Sequence, residues 1–120
     1  MEIDAASSKC LLLVEDCELV AQVTTDFLTD AGFSVDCADS VIAAFQKMEN
    51  TAFDIALLDI NVGRELVYPV AEHLAELGVP FVFVSGGHSG TIPQGLAGRP
   101  FLTKPYRPDD LIALLRGLEA

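Results

Sequence analysis

LLLVEDCELV, Leu11 to Val20, sets four apolar residues directly against two carboxylates, Glu15 and Asp16. A buried segment that ends on two adjacent negative charges is costly unless something positive faces them. The period changes at once, because Leu19, Val20, Val23, Phe27 and Leu28 recur at helical spacing. The stretch around KCLLLVED therefore reads as a buried parallel strand over roughly residues 10–15. An amphipathic helix follows, closed by Gly32 in the C-cap position.

Outward from this stretch the same alternation repeats. FSVDCA reads as a second strand, and Asp39 or Ser40 can cap the next helix, whose apolar positions are Val41, Ile42, Phe45 and Met48. FDIALLD reads as a third strand, ending again on a carboxylate, Asp59. Val67, Val70, Ala71, Leu74 and Leu77 form a third helical stripe, closed by Gly78. PFVFVS and PFLTKPY supply the fourth and fifth strands. Pro108 suits the first position of a last helix, with Asp109 and Asp110 complementing its dipole and Leu111, Leu114, Leu115 and Leu118 on its buried face. The segment Gly86 to Gly98 holds five glycines and a proline, so a fourth helix there is expected to be short or irregular. Five strands alternating with helices predict an α/β fold: a flavodoxin-like, doubly wound five-stranded parallel sheet, order 2-1-3-4-5, with helices on both faces.

Composition narrows the function. A chain of 120 residues, 51% of them hydrophobic, suits one domain with a sizeable core. The expected organisation is a short polar N-terminal extension over 1–9 and one domain over 10–120, with no output domain. The net charge of −11 disfavours nucleic acid and anionic membrane as partners. The three cysteines, Cys10, Cys17 and Cys37, are odd in number and form no CxxC pair. They read as reduced thiols acting as small core residues. The polar start resembles no signal peptide and no apolar run approaches membrane-spanning length, so a cytoplasmic location is expected.

In such a sheet, ligands bind beyond the carboxyl ends of the strands. Glu15, Asp16, Asp59, Ser85 and Lys104 all fall on that edge. Three converging carboxylates repel one another, and a cation relieves this. An all-oxygen set favours a hard ion, Mg²⁺ rather than Zn²⁺. An ammonium and a hydroxyl beside the same carboxylates make a site for a phosphoryl group. Asp59 is the natural nucleophile, and attack on phosphorus by its carboxylate forms an acyl phosphate. Each residue alone has a plainer role as a helix cap, a turn lysine or a rim aromatic. The shared sheet edge argues against reading them separately.

The motifs VED, LLDIN, FVFVSG and LTKPY, in this order and at these spacings, resemble the receiver domain of two-component response regulators, in particular its stand-alone members. The resemblance implies that Asp59 is the phosphoacceptor and that Asp16 binds Mg²⁺ directly, with Glu15 as its partner, often through water. It implies that Asn61 lends a backbone carbonyl to the metal and that Lys104, before a cis Pro105, binds the phosphoryl group. Ser85 and Tyr106 match the switch pair. The implied donor is a phosphohistidine on a sensor kinase or a histidine phosphotransfer protein, and the implied output is binding to a downstream target protein. The domain would catalyse only its own phosphorylation and dephosphorylation. Val62, Gly63 and Leu66 depart from the family's usual Met-Pro and glycine after the acceptor, and Pro69 appears instead at the start of the next helix. The rival readings are a pseudo-receiver that binds partners without phosphorylation, an aspartyl phosphatase, which would want Asp at Asn61, and a nucleotide or flavin module, which would want glycines after strand one. His73 is expected to be solvated, and His88 to sit in a mobile loop.

Overall fold

The computed structural model describes residues 9–86 and 92–119. Residues 1–8 of the predicted extension over 1–9, His88 and the centre of the glycine-rich segment lie outside the described residues, whereas Lys9 already belongs to the first strand. Strand β1 (Lys9–Val14) leads through Glu15–Cys17 into helix α1 (Glu18–Asp30), then β2 (Phe33–Ala38), α2 (Val41–Asn50) and β3 (Ile55–Asp59). Two short strands, β4 (Asn61–Val62) and β5 (Glu65–Leu66), precede α3 (Tyr68–Leu77). Strand β6 (Phe81–Ser85), a 3₁₀ turn (Gln94–Leu96), β7 (Phe101–Thr103) and α4 (Pro108–Glu119) complete the chain.

The five longer strands form one parallel sheet in the order β2-β1-β3-β6-β7, the predicted 2-1-3-4-5 arrangement. Side chains alternate across it. Leu12, Val14, Leu58, Phe81 and Phe83 face α2 and α3 in one core, while Leu11, Leu13, Leu57, Val82 and Val84 face α1 and α4 in the other. Burial of the central strands on both sides explains their unbroken apolar runs.

Local rules account for most boundaries. Ser40, rather than Asp39, caps α2, its Oγ accepting from Ala43 N–H at 3.0 Å. Gly78 ends α3 at φ 76°, the left-handed conformation that glycine adopts without strain. At α1 the cap is Ala31, with Gly32 the residue beyond it at φ 102°. Strands β3, β6 and β7 are shorter than their apolar runs, although Phe53, before β3, is still buried.

The helical faces are rotated relative to the sequence reading. In α1, Ala21, Thr24 and Leu28 are buried, whereas Leu19 is 72% exposed and Val23 is also exposed. Ile42 and Leu77 are exposed as well. Ala21 and Ala44, which the apolar stripes left out, are buried, as is Ala71, which they included. Leu19, Val20, Val23 and Phe27 instead line an open apolar depression with Tyr106 and Pro108. Among the described residues of the glycine-rich segment, the 3₁₀ turn buries Leu96, and the Arg99 guanidinium lies 4.9 Å from the centre of the Phe81 ring. His73 is half-buried, its ring 5.6 Å from that of Phe45, and is therefore not fully solvated. Cys17 is exposed, contrary to its expected core role, whereas Cys10 and Cys37 are half-buried. Among the described residues no helix is long and apolar enough to cross a membrane.

Candidate functional site

The sheet ladder continues one residue beyond three strands and fixes the backbone of the site. Glu15 N–H donates to Ala38 O at 3.0 Å, Ile60 N–H to Val84 O at 3.0 Å, and Lys104 N–H to Ser85 O at 2.8 Å. Glu15, Asp59 and Lys104 therefore leave adjacent parts of one rigid edge. Lys104 Nζ donates to Glu15 Oε1 at 2.8 Å and to Asp59 Oδ2 at 3.1 Å. Glu15, Asp16 and Asp59 can each offer an oxygen within 4.8 Å of the others. Three carboxylates from β1 and β3 and one ammonium from beyond β7 thus meet, as expected from the sequence. The Lys104–Pro105 peptide bond is cis, also as expected.

The carboxylates are unequal. Glu15 is only 5% exposed, and burial pushes its carboxyl above the usual range against the opposing hydrogen bonds from Lys104 and Cys17 N–H. Burial opposes the charge of Lys104 too, but hydrogen bonds to Glu15 and Asp59 prevail and hold its ammonium above the ordinary lysine value. Both Glu15 oxygens are engaged, Oε1 by Lys104 and Oε2 by Cys17 N–H at 3.2 Å. Asp16 Oδ2 accepts from Gly63 N–H at 2.9 Å, and Asp59 Oδ1 accepts from Asn61 N–H at a longer 3.3 Å. Asp16 Oδ1 and the weakly engaged Asp59 Oδ1 are the oxygens best placed to serve a cation. A donor set of carboxylate oxygens suits a hard divalent ion. Glu15, with its oxygens already taken, fits a role through water.

Ser85 is 1% exposed at the end of β6. It alternates with Val84 and so shares the face of Phe81 and Phe83. Tyr106 lies on the other face, packed against the α1–α4 core, with its side chain hydrogen-bonded to Thr24 of α1. Burial, more than this bond or its charged neighbours, sets its phenol, pushing it up. The structure therefore does not bring Ser85 and Tyr106 together. The aromatic residue on Ser85's face of the neighbouring strand is Phe101, which pairs with Phe83 as Thr103 pairs with Ser85. The sequence reading missed Phe101, and parity along β7 was the signal that could have found it. It also missed Gly63 and Thr24, which reach the site's residues only through tertiary contacts.

The model of the response regulator receiver domain matches residues 11–116. This chain belongs to that family. Its fold matches the solution structure of SdrG from Sphingomonas melonis Fr1 with a TM-score of 0.79 at 35% identity, covering 93% of this chain and 97% of that one. A CheY-like receiver domain from Methanospirillum hungatei JF-1 matches with a TM-score of 0.82 at 25% identity, covering 94% of each chain. Among curated proteins, the probable transcriptional regulator ycf29 of Porphyra purpurea is 31% identical, over 90% of this chain and 55% of its own length. CusR of Escherichia coli K12, a transcriptional regulatory protein, is 30% identical over 90% of this chain and 50% of its own. The chain spans about half the length of these curated relatives. Their names are regulatory rather than enzymatic.

Proposed function

We propose that this receiver domain is a phosphoacceptor in two-component signalling, taking a phosphoryl group on Asp59 from a phosphohistidine of a sensor kinase or a histidine phosphotransfer protein. The observation that carries the reading is Lys104 Nζ bound to both Glu15 and Asp59, with Asp16 alongside. An Asp59 carboxylate oxygen attacks phosphorus, the N–P bond of the donor breaks as the O–P bond forms, and the donor imidazole leaves neutral after taking a proton. Lys104 exchanges its bond to Asp59 for one to a phosphoryl oxygen and so follows the charge. Water later cleaves the O–P bond, regenerating the carboxylate and inorganic phosphate. Asp16, Asp59 and the Asn61 carbonyl would hold Mg²⁺, with Glu15 acting through water. The ion would neutralise charge on the transferred group.

Ser85, buried at the same edge, would read the phosphoryl group through its hydroxyl. A rearrangement there would pass along its own face of the sheet toward Phe101, rather than to Tyr106 on the other face. The half-exposed Phe101 would present the change to a downstream target as a population shift.

Intact-mass spectrometry after incubation with acetyl phosphate tests the reading on the wild type and Asp59→Asn, with and without Mg²⁺. A gain of about 80 Da, one phosphoryl group, should require both the ion and Asp59. Labelling that survives Asp59→Asn would overturn the assignment, as would a wild type silent to both acetyl phosphate and beryllofluoride.

A further inference from the structure

The connection from β3 to α3 is a small hairpin, and its tip reaches back to the acid pair after β1. Asn61 pairs with Leu66 and Val62 with Glu65, antiparallel. Val62 is buried in the α2–α3 core, and Val67 N–H donates to Ile60 O at 2.9 Å at the hairpin base. The tip is therefore anchored. From it, Gly63 at φ 63° aims its N–H at Asp16 Oδ2, 2.9 Å away and 47 residues distant in sequence. A Cβ at Gly63 would meet nothing within 4 Å, so the glycine answers a conformational need and not a spatial one.

We propose that the Gly63 amide is a metal-selectivity element: by holding Asp16 Oδ2 it restricts Asp16 to one ligand oxygen and favours Mg²⁺ over Ca²⁺. The inference rests on the reading of this site as a Mg²⁺-dependent phosphoacceptor. Mg²⁺ demands compact octahedral coordination and is served by a carboxylate through one oxygen, whereas Ca²⁺ takes more oxygens and readily uses both of a carboxylate's. Bidentate Ca²⁺ at Asp16 would require displacing an anchored, charge-assisted hydrogen bond and leaving its N–H without a partner. Glu15 is a poor substitute, because the Lys104 ammonium bonded to its Oε1 repels a cation and the Cys17 N–H holds its Oε2.

The test is calorimetric titration of the full chain with Mg²⁺ and Ca²⁺ separately, for the wild type, Gly63→Asn and Gly63→Val. Asn tolerates the left-handed backbone and keeps the amide in place, so its preference for Mg²⁺ over Ca²⁺ should match the wild type. The β-branched valine does not tolerate it, and the preference should fall about ten-fold, the size of one charge-assisted hydrogen bond. An unchanged preference in a folded Gly63→Val protein overturns the proposal. Amide exchange in the wild type gives a measurement free of any variant: the Gly63 N–H should stay protected with Mg²⁺ bound, and exchange at open-loop rates would overturn the proposal. A wild type that binds neither ion would refute the metal reading itself, and the selectivity role with it. That result is distinguishable from a wild type that binds Mg²⁺ while its selectivity does not depend on Gly63.

Discussion

Replacing Lys104 with methionine keeps the length of the side chain and removes its charge. At the 2.8 Å separation from Glu15 Oε1, an effective dielectric of about 20 gives roughly 6 kcal/mol of attraction. Desolvation of the two ions offsets most of this in the intact pair. The variant keeps Glu15 buried with its partner gone, a change that costs about 3–5 kcal/mol where both ions are fully buried. The Lys104 side chain is 26% exposed, so about 2–3 kcal/mol is expected, or roughly 10 °C in Tm for a domain of this size. The loss should depend on pH. Glu15 ionises above its ordinary value of 4.5 in the fold because of burial. Its stabilising contribution is therefore full below the unfolded value and is lost as pH rises through the folded one. Removing Lys104 takes away a group that holds the folded value down, so the window moves upward and the unpaired charge weighs most at neutral pH. Thermal unfolding followed by circular dichroism should show the full deficit at pH 7 and a much smaller one near pH 4.5. Glu15→Gln added to Lys104→Met should recover most of the loss. An equal deficit at both pH values, or no recovery in the double variant, would refute the account of Glu15 as a buried charge paired by Lys104.

Leu28 is fully buried and Leu19 exposed on the same helix, so Leu28→Ala should cost about 2–5 kcal/mol in urea unfolding and Leu19→Ala under about 0.5; equal costs would show that the face of α1 is misassigned. Ser40→Ala removes the α2 cap and should cost about 1 kcal/mol, with Ser40→Gly milder. Tyr106→Phe leaves the buried Thr24 without this bond and should cost about 1 kcal/mol. Because Tyr106 stands on the face opposite Ser85, its phosphorylation by acetyl phosphate should stay within about two-fold of wild type, and a larger loss would restore Tyr106 to the switch.

Several features were legible in the chain because local chemistry decides them. An apolar run ending on carboxylates, strict alternation of strand and helix periods, Ser40 before Val41 and Gly78 after Leu77 each carry their physical cause within a few residues. The flavodoxin-like doubly wound order then places the strands, and right-handed crossovers put helices on both faces. Strand order alone puts Glu15, Asp16, Asp59 and Lys104 at one edge, so the acid cluster and its lysine could be read before any distance was known.

What the tertiary structure decided depends on parity and on helix rotation. The family resemblance pairs Ser85 with Tyr106, yet the alternation of β6 and the turn after β7 put them on opposite faces of the sheet. The apolar stripe of α1 predicted Leu19 and Val23 inside. The helix instead buries Ala21, Thr24 and Leu28 and leaves both outside. The contact between Gly63 and Asp16 joins segments 47 residues apart through a backbone N–H, a group that every residue but proline carries and no side-chain pattern marks. Sequence by itself thus determined which chemistry meets at the edge of the sheet. The packing of helices on that sheet, and the backbone amides it aims inward, decided which oxygens remain free to act.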